Sequence, residues 1–309
     1  MAQPTLDRYA CWRLTPEARR RSTCRAVRKF PDRGSFTRRT RTATWLAVVG
    51  LGLLARVRPT LARAIAFVLI ATLGIAHGAT DDTLLYRFGY RPRGGRFALS
   101  GAYGALSIAT FIAARRSPAI AGRALFALSW LHFGNGDAAF ARACGGRSSF
   151  LAETIVRGAL PLCIAETDRR SRLVASVAAV AAIAHAARGE LADALDLALP
   201  TALLLLTPKR FGFAIYFGAW HAVRHTALLL ERDARGGTLG KRVRRFARES
   251  IVNVAIAVAA GAIAVVLSPA IASRAAKPKH DDVFGALILA ITVPHHIAVW
   301  LLERRHREA

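Results

Sequence analysis

The sequence predicts an all-α protein, a bundle of about 8–10 transmembrane helices. Hydrophobic residues make up 53% of the 309 residues, and the mean hydropathy is +0.30. They are gathered in Ala/Leu-rich blocks of roughly 15–22 residues, about the length that crosses a bilayer, and Arg-rich connectors separate the blocks. Because the blocks do not alternate in polarity, helices rather than barrel strands are expected to satisfy the backbone.

Candidate spans cover one transmembrane domain, which we place at residues 44–302. The spans are 44–57, 60–77, 98–114, 124–140, 149–165, 173–187, 190–206, 211–230, 249–268 and 283–302. The first is short enough to be re-entrant. The division between 173–187 and 190–206 could be misplaced, so the number of spans stays open by one or two.

The segments that flank this domain are basic. Residues 1–43 have no continuous apolar core of the kind a secretory signal carries, and we expect a disordered cytoplasmic arm. Residues 303–309 are expected to form a basic cytoplasmic tail. Ten spans place the arm, the loops 87–96 and 231–248 and the tail on one side, and these are the most basic stretches. The positive-inside rule therefore predicts a multi-pass protein of the cell (inner) membrane with a cytoplasmic N-terminus.

The net charge of +26 first suggests a nucleic-acid partner. The charge lies in the arm and the loops, where a helical membrane protein carries it, so we expect anionic lipid headgroups and no nucleic acid as its partner. The four cysteines have no CxxC spacing and are interpreted as ordinary thiols. The oligomeric state stays open.

Histidines inside the apolar spans are the main functional signal. Six of the nine histidines fall in four local patterns. Ionisable groups within a bilayer are costly unless they have partners, which makes them candidates for function. The patterns are GIAHGATDD with His77, SWLHFGNGD with His132, GAWHAVRH with His221 and His225, and TVPHH with His295 and His296.

Spacing and depth favour a metal site. His221 and His225 are four residues apart, which puts both imidazoles on one face of a helix, one turn apart. In the ten-span arrangement these two, His77, His132 and His295 all lie between the membrane centre and its cytoplasmic edge. Imidazole suits Fe, Zn, Cu and Ni, so the residues alone predict a metal site without naming the metal.

Two carboxylates and a proline accompany these histidines. Asp81 and Asp137 each follow a histidine by four or five residues, and each could accept the outer N–H of a ligand imidazole or be a ligand itself. Pro294 precedes His295 and His296 and frees backbone carbonyls that a histidine could satisfy structurally.

Two other polar groups have a structural explanation. His185 stands at a span end, where we expect an interfacial hydrogen-bonding residue. Glu153 and Arg157 are four residues apart, which predicts an intrahelical ion pair.

The histidine blocks, in this order, resemble the signature blocks of the Brp/Blh family of membrane β-carotene 15,15'-dioxygenases from residue 74 to residue 302, and Glu153…RGALP resembles a further block. The resemblance implies a catalytic transmembrane domain in which Fe(2+) and O2 cleave the central 15,15' double bond of β-carotene into two molecules of all-trans-retinal. It implies no catalytic residue beyond the metal site. The implied iron ligands are His77, His132, His221 and His225, with Asp81, Asp137, His295 and His296 in supporting roles.

Two other classes stay open. A membrane desaturase or hydroxylase also clusters histidines, but this sequence lacks the HxxHH boxes of that class. A metal transporter could use the histidines as a translocation path, and the Pro294 kink is compatible with the broken helices of transporters.

Overall fold

The fold is α-helical throughout the part of the chain that the structure, a computed structural model, describes. These residues are 35–87, 89–90, 92–161, 169–231, 237–271 and 280–308, and they include no β-strand. The expected all-α fold is therefore confirmed.

Thirteen α-helices and two π-helical segments follow one another along these residues. They are α1 (Ser35–Val57), α2 (Pro59–Leu69), the first π segment (Ile70–Gly74), α3 (Ile75–Ala79), α4 (Asp81–Arg87), α5 (Gly95–Arg116), α6 (Pro118–Ala143), α7 (Phe150–Ala159), α8 (Arg169–Ala187), α9 (Leu191–Leu206), α10 (Lys209–Ile215), the second π segment (Tyr216–His221), α11 (Ala222–Glu231), α12 (Leu239–Ile271) and α13 (His280–Glu308).

Helix α1 corrects the predicted boundary of the basic arm. The prediction of disorder is wrong for residues 35–43, which form the first turns of this helix, whereas residues 1–34 lie outside the described residues. Thr37, Thr40, Arg41 and Thr44 are buried at helical spacing and continue into Val48. A polar buried face has low hydropathy, so a search for apolar segments starts the helix too late.

The predicted tail is also part of a helix. Helix α13 continues without interruption from His280 to Glu308, so residues 303–308 are helical. Two predicted spans are likewise inner parts of longer helices, 249–268 in α12 and 283–302 in α13. The predicted spans 60–77 and 211–230 are each interrupted by a π segment.

Helix α5 is the one helix among the described residues that is both long and apolar enough to cross a membrane. Shorter apolar stretches lie at Ser171–Ala187 and Ala286–Leu302. Large apolar side chains also face outward on several helices, for example Leu53 on α1, Phe97 on α5 and Ile183 on α8.

The core has two main parts, with the histidines near their junction. The larger apolar cluster joins α1, α9, α10 and the second π segment, and Tyr216 and Trp220 are fully buried in it. A smaller cluster joins α5 and α13 through Phe111 and Leu289. Helix α6 packs against both α7 and α13 and connects the two parts.

Candidate metal centre

Five buried imidazoles converge at the centre of the bundle. Each is at most 8% exposed, and four separate stretches of chain deliver them. They are His77 in α3, His132 in α6, His221 at the end of the second π segment, His225 in α11 and His295 in α13.

The closest group comprises His77, His132 and His221. One ring nitrogen from each lies within 4.8 Å of the other two. Nε2 of His132 and Nε2 of His221 are 3.1 Å apart. Nitrogens of three buried rings that point at one small volume can act together as ligands of a single ion.

The outer nitrogens of two of these rings are held by oxygen acceptors. Nδ1 of His77 donates to the carbonyl oxygen of Gly74 at 2.6 Å, and Nδ1 of His221 contacts Oδ1 of Asp137 at 3.3 Å. Carbonyl and carboxylate oxygens accept a proton donor, so Nδ1 carries the hydrogen and Nε2 keeps its lone pair. This is the usual arrangement of metal-binding histidines.

Asp137 is itself held in place. Its Oδ2 accepts hydrogen bonds from the hydroxyl of Tyr216 at 3.0 Å and from Nε1 of Trp220 at 3.1 Å. This carboxylate therefore lies against the ring of His221. Sequence proximity had linked Asp137 to His132 instead.

Asp81 approaches a different histidine from the one that precedes it in sequence. Its Oδ2 lies 2.6 Å from Nδ1 of His295 and accepts a bond of 3.3 Å from the hydroxyl of Tyr103. His295 is thus anchored by Asp81, although the two residues are 214 positions apart.

Several buried nitrogens indicate that an ion fits this site. Among the described residues, Nε2 of His77 and Nε2 of His295 have no hydrogen-bond partner, and Nε2 of His132 and Nε2 of His221 face each other at 3.1 Å. Burial of such polar atoms without partners is unfavourable. A cation bound between the rings would satisfy lone pairs that the protein leaves unsatisfied.

Ring spacing agrees with this fit. Two imidazoles bound to one ion at about 2.1 Å have ring centres roughly 4.5 Å apart when adjacent and about 6.5 Å apart when opposite. The ring centres of His132 and His221 are 4.8 Å apart. The ring centre of His77 lies 6.1 Å from that of His132 and 5.8 Å from that of His221. The ring of His225 lies 5.5 Å from His77, 6.1 Å from His221 and 6.4 Å from His132, within the same range.

The two π segments bring two of the histidines together. One extra residue per turn changes the direction of the side chains that follow, and π segments are frequent at functional sites. Their backbones approach closely: a methyl group on Gly218 would stand 2.8 Å from Cβ of Leu69, and one on Gly74 would stand 2.7 Å from the ring of Phe217. Hydropathy cannot detect this contact, although the glycines are visible in the sequence.

His296 occupies a different position from its neighbour. Its ring is half-buried and lies 6.3 Å from that of His132. Together with His132, Asn135, Val299 and Trp300 it lines a cavity of about 20 Å³ between α6 and α13. Its lining includes one histidine of the cluster, His132, and the half-exposed side chain of Trp300.

A network of buried ion pairs packs against the second π segment. Asp196 lies 2.8 Å from guanidinium nitrogens of Arg41 and Arg224 and 3.8 Å from one of Arg157. The guanidinium carbon of Arg224 is 3.4 Å from the ring centre of Trp220, which connects this network to Asp137. Sequence analysis did not anticipate this role for Arg41 or Asp196.

The predicted ion pair of Glu153 and Arg157 and the predicted hydrogen bonding of His185 are confirmed. Nε of Arg157 lies 2.6 Å from Oε2 of Glu153 within one helix, as the spacing predicted. His185 contacts Oε1 of Glu153 at 2.9 Å and Oε2 of Glu190 at 2.7 Å, so it is a hydrogen-bonding residue.

Comparison with known proteins identifies the family. The sequence profile of the β-carotene 15,15'-dioxygenase family matches residues 68–168 and 167–303. A probable β-carotene 15,15'-dioxygenase, Blh, of Halobacterium salinarum is 27% identical over 321 residues, which cover 84% of this chain and 88% of that protein. No solved structure matches the chain at a significant level. These findings favour a dioxygenase over the desaturase and the transporter, and the chain belongs to the β-carotene 15,15'-dioxygenase family.

Proposed function

We propose that this carotenoid-cleaving dioxygenase binds Fe(2+) and uses O2 to cleave the central 15,15' double bond of β-carotene, giving two molecules of all-trans-retinal. The observation that carries the proposal is the approach of three buried imidazole nitrogens to within 4.8 Å of one another. His77, His132 and His221 supply these nitrogens. The proposed fourth ligand is His225, whose ring centre lies 5.5 Å from that of His77.

The metal supplies the activation of O2 when it is bound, and the protein supplies position and exclusion of water. Neutral imidazoles leave the charge of the ion uncompensated by ligands. Asp137 and the carbonyl of Gly74 hold the Nδ1 atoms of two ligands, which fixes the direction of the opposite nitrogens. Apolar rings of Phe133 and Phe217 lie against this group and keep water from the site.

The cavity beside His132, at about 20 Å³, has room for about one water molecule, and we propose that it marks the side of the bundle from which a rigid hydrocarbon approaches the histidines. It opens between α6 and α13, and its outer wall is Trp300, which is about half exposed. A polyene in the lipid phase would reach the histidines through this side of the bundle without crossing water. Central cleavage then requires that the length of the channel places the middle of the polyene at the metal.

The same proposal places the protein in the cell membrane as a multi-pass protein with a cytoplasmic N-terminus. Helix α5 has the length and composition of a span, and exposed Leu53, Phe97 and Ile183 suit contact with lipid acyl chains. The basic loops predict the orientation. The orientation is tested by introducing a single cysteine at position 93 or 237 and labelling intact vesicles from each side. We expect both positions to be labelled from the cytoplasmic side.

Expression in cells that accumulate β-carotene tests the reaction. We expect loss of orange colour together with formation of retinal. His77→Ala, His221→Ala or His225→Ala should abolish retinal formation and lower the bound iron. A variant with unchanged activity would remove that residue from the ligand set. Absence of retinal with correctly inserted wild-type protein would refute the proposed function.

A further inference from the structure

We infer that His295 is a direct ligand of the metal, in addition to the histidines proposed above. The inference rests on the proposed function, because it presumes that the cluster binds an ion. It differs from the supporting role that the resemblance implies for this residue, and the geometry of the ring carries it.

The first observation is the place of His295 within the cluster. Its ring centre lies 4.7 Å from that of His132 and 4.8 Å from that of His77. These distances are shorter than any that join His225 to another histidine of the cluster, the shortest of which is 5.5 Å. They match about 4.5 Å for adjacent imidazoles on one ion. The ring of His295 therefore lies closer to the rings of His77 and His132 than the ring of His225, the fourth proposed ligand, does.

The second observation is the orientation of its two nitrogens. Nδ1 is 2.6 Å from Oδ2 of Asp81, and that carboxylate is also bound by Tyr103. Within the described residues Nε2 is buried and has no hydrogen-bond partner. The carboxylate fixes the proton on Nδ1, so the lone pair of Nε2 remains for a ligand bond, as in metal-bound histidines.

The third observation is the space that α3 leaves for this ring. A methyl group on Gly78 would stand 3.2 Å from Nδ1 of His295. The close approach of α3 lets Asp81, which follows three residues later, reach that nitrogen. The Asp81–His295 pair therefore has the same chemistry as the Asp137–His221 pair, since in each a carboxylate oxygen faces Nδ1 of a buried imidazole.

Cysteine substitution tests direct ligation, because a thiolate bound to Co(2+) produces a charge-transfer absorption band. Full-length wild type, His295→Cys and His296→Cys are purified in detergent and loaded with Co(2+) without oxygen. We expect the band in His295→Cys and not in His296→Cys or in wild type. His296 is the matched control because it is adjacent in sequence, and its ring lies 6.3 Å from that of His132.

A second measurement covers the case in which His295→Cys does not fold. Asp81→Asn keeps the imidazole but loses the carboxylate, and we expect Fe(2+) affinity to fall by about 10–100-fold. A band in both cysteine variants or in neither, with folded protein, would overturn the inference, and so would unchanged affinity in Asp81→Asn. Wild type that binds neither ion would instead refute the proposed function, so the two failures are distinguishable.

Discussion

Gly136 lies directly against His221, since a methyl group built on Gly136 would stand 2.7 Å from Cε1 of that imidazole. The glycine precedes Asp137, whose carboxylate contacts Nδ1 of the same ring at 3.3 Å. Helix α6 therefore supplies both the space for this imidazole and the acceptor that orients it.

Gly136→Ala should displace His221 and lower the bound iron. The ring has little room to move, because it also packs against Phe133 with ring centres 4.7 Å apart. Iron per chain, measured by mass spectrometry on purified protein, should fall severalfold. Gly122→Ala in the same helix is the matched control, since nothing lies within 4 Å of the added methyl group. Equal iron content in the two variants would show that this contact is unimportant.

Asp137→Asn should weaken iron binding by about 10–100-fold. An amide offers one oxygen, whereas the carboxylate accepts from Tyr216 and Trp220 on Oδ2 and faces Nδ1 of His221 with Oδ1. Competition with a chelator measures the affinity. Tyr216→Phe removes one donor and leaves the contact with His221, so its effect should be smaller. An affinity like that of wild type in Asp137→Asn would contradict the role of this carboxylate.

Asp196→Asn should destabilise the protein by about 3–5 kcal/mol, because it leaves buried guanidinium groups without their shared carboxylate. Arg41 and Arg224 lose ion pairs of 2.8 Å that have almost no contact with solvent. Unfolding in mixed detergent micelles measures the change. Arg188→Ala, where the side chain is 52% exposed beside Glu190, should leave the free energy of unfolding nearly unchanged. Equal free energies of unfolding in the two variants would show that this network does not stabilise the protein.

Trp300→Ala should weaken the binding of β-carotene without changing the amount of bound iron. The side chain lines the cavity next to His132 and is about half exposed, and it is not among the proposed ligands. We expect a higher KM for β-carotene with iron content as in wild type. Phe97→Ala, which removes an exposed ring from α5, far in sequence from the residues that line this cavity, should leave KM unchanged. The same KM in both variants would place the substrate route elsewhere.

Some of this architecture could be predicted from the sequence, and particular residues show why the rest could not. The spacing of His221 and His225 predicted a shared helical face, and their rings lie 6.1 Å apart. The start of α1 was missed because Thr37 and Arg41 are buried but polar. Local spacing tied Asp81 to His77, whereas the structure pairs it with His295 across 214 residues. Contacts of that kind depend on how helices pack, which no local pattern contains.

The most direct test of the central claim is the product yield of purified protein loaded with Fe(2+) and supplied with β-carotene and O2. We expect two molecules of retinal for each β-carotene consumed, none without iron, and none in His221→Ala. Unequal apocarotenoid fragments, or retinal formed at the same rate by iron-free protein, would contradict central cleavage at an iron site built from these histidines.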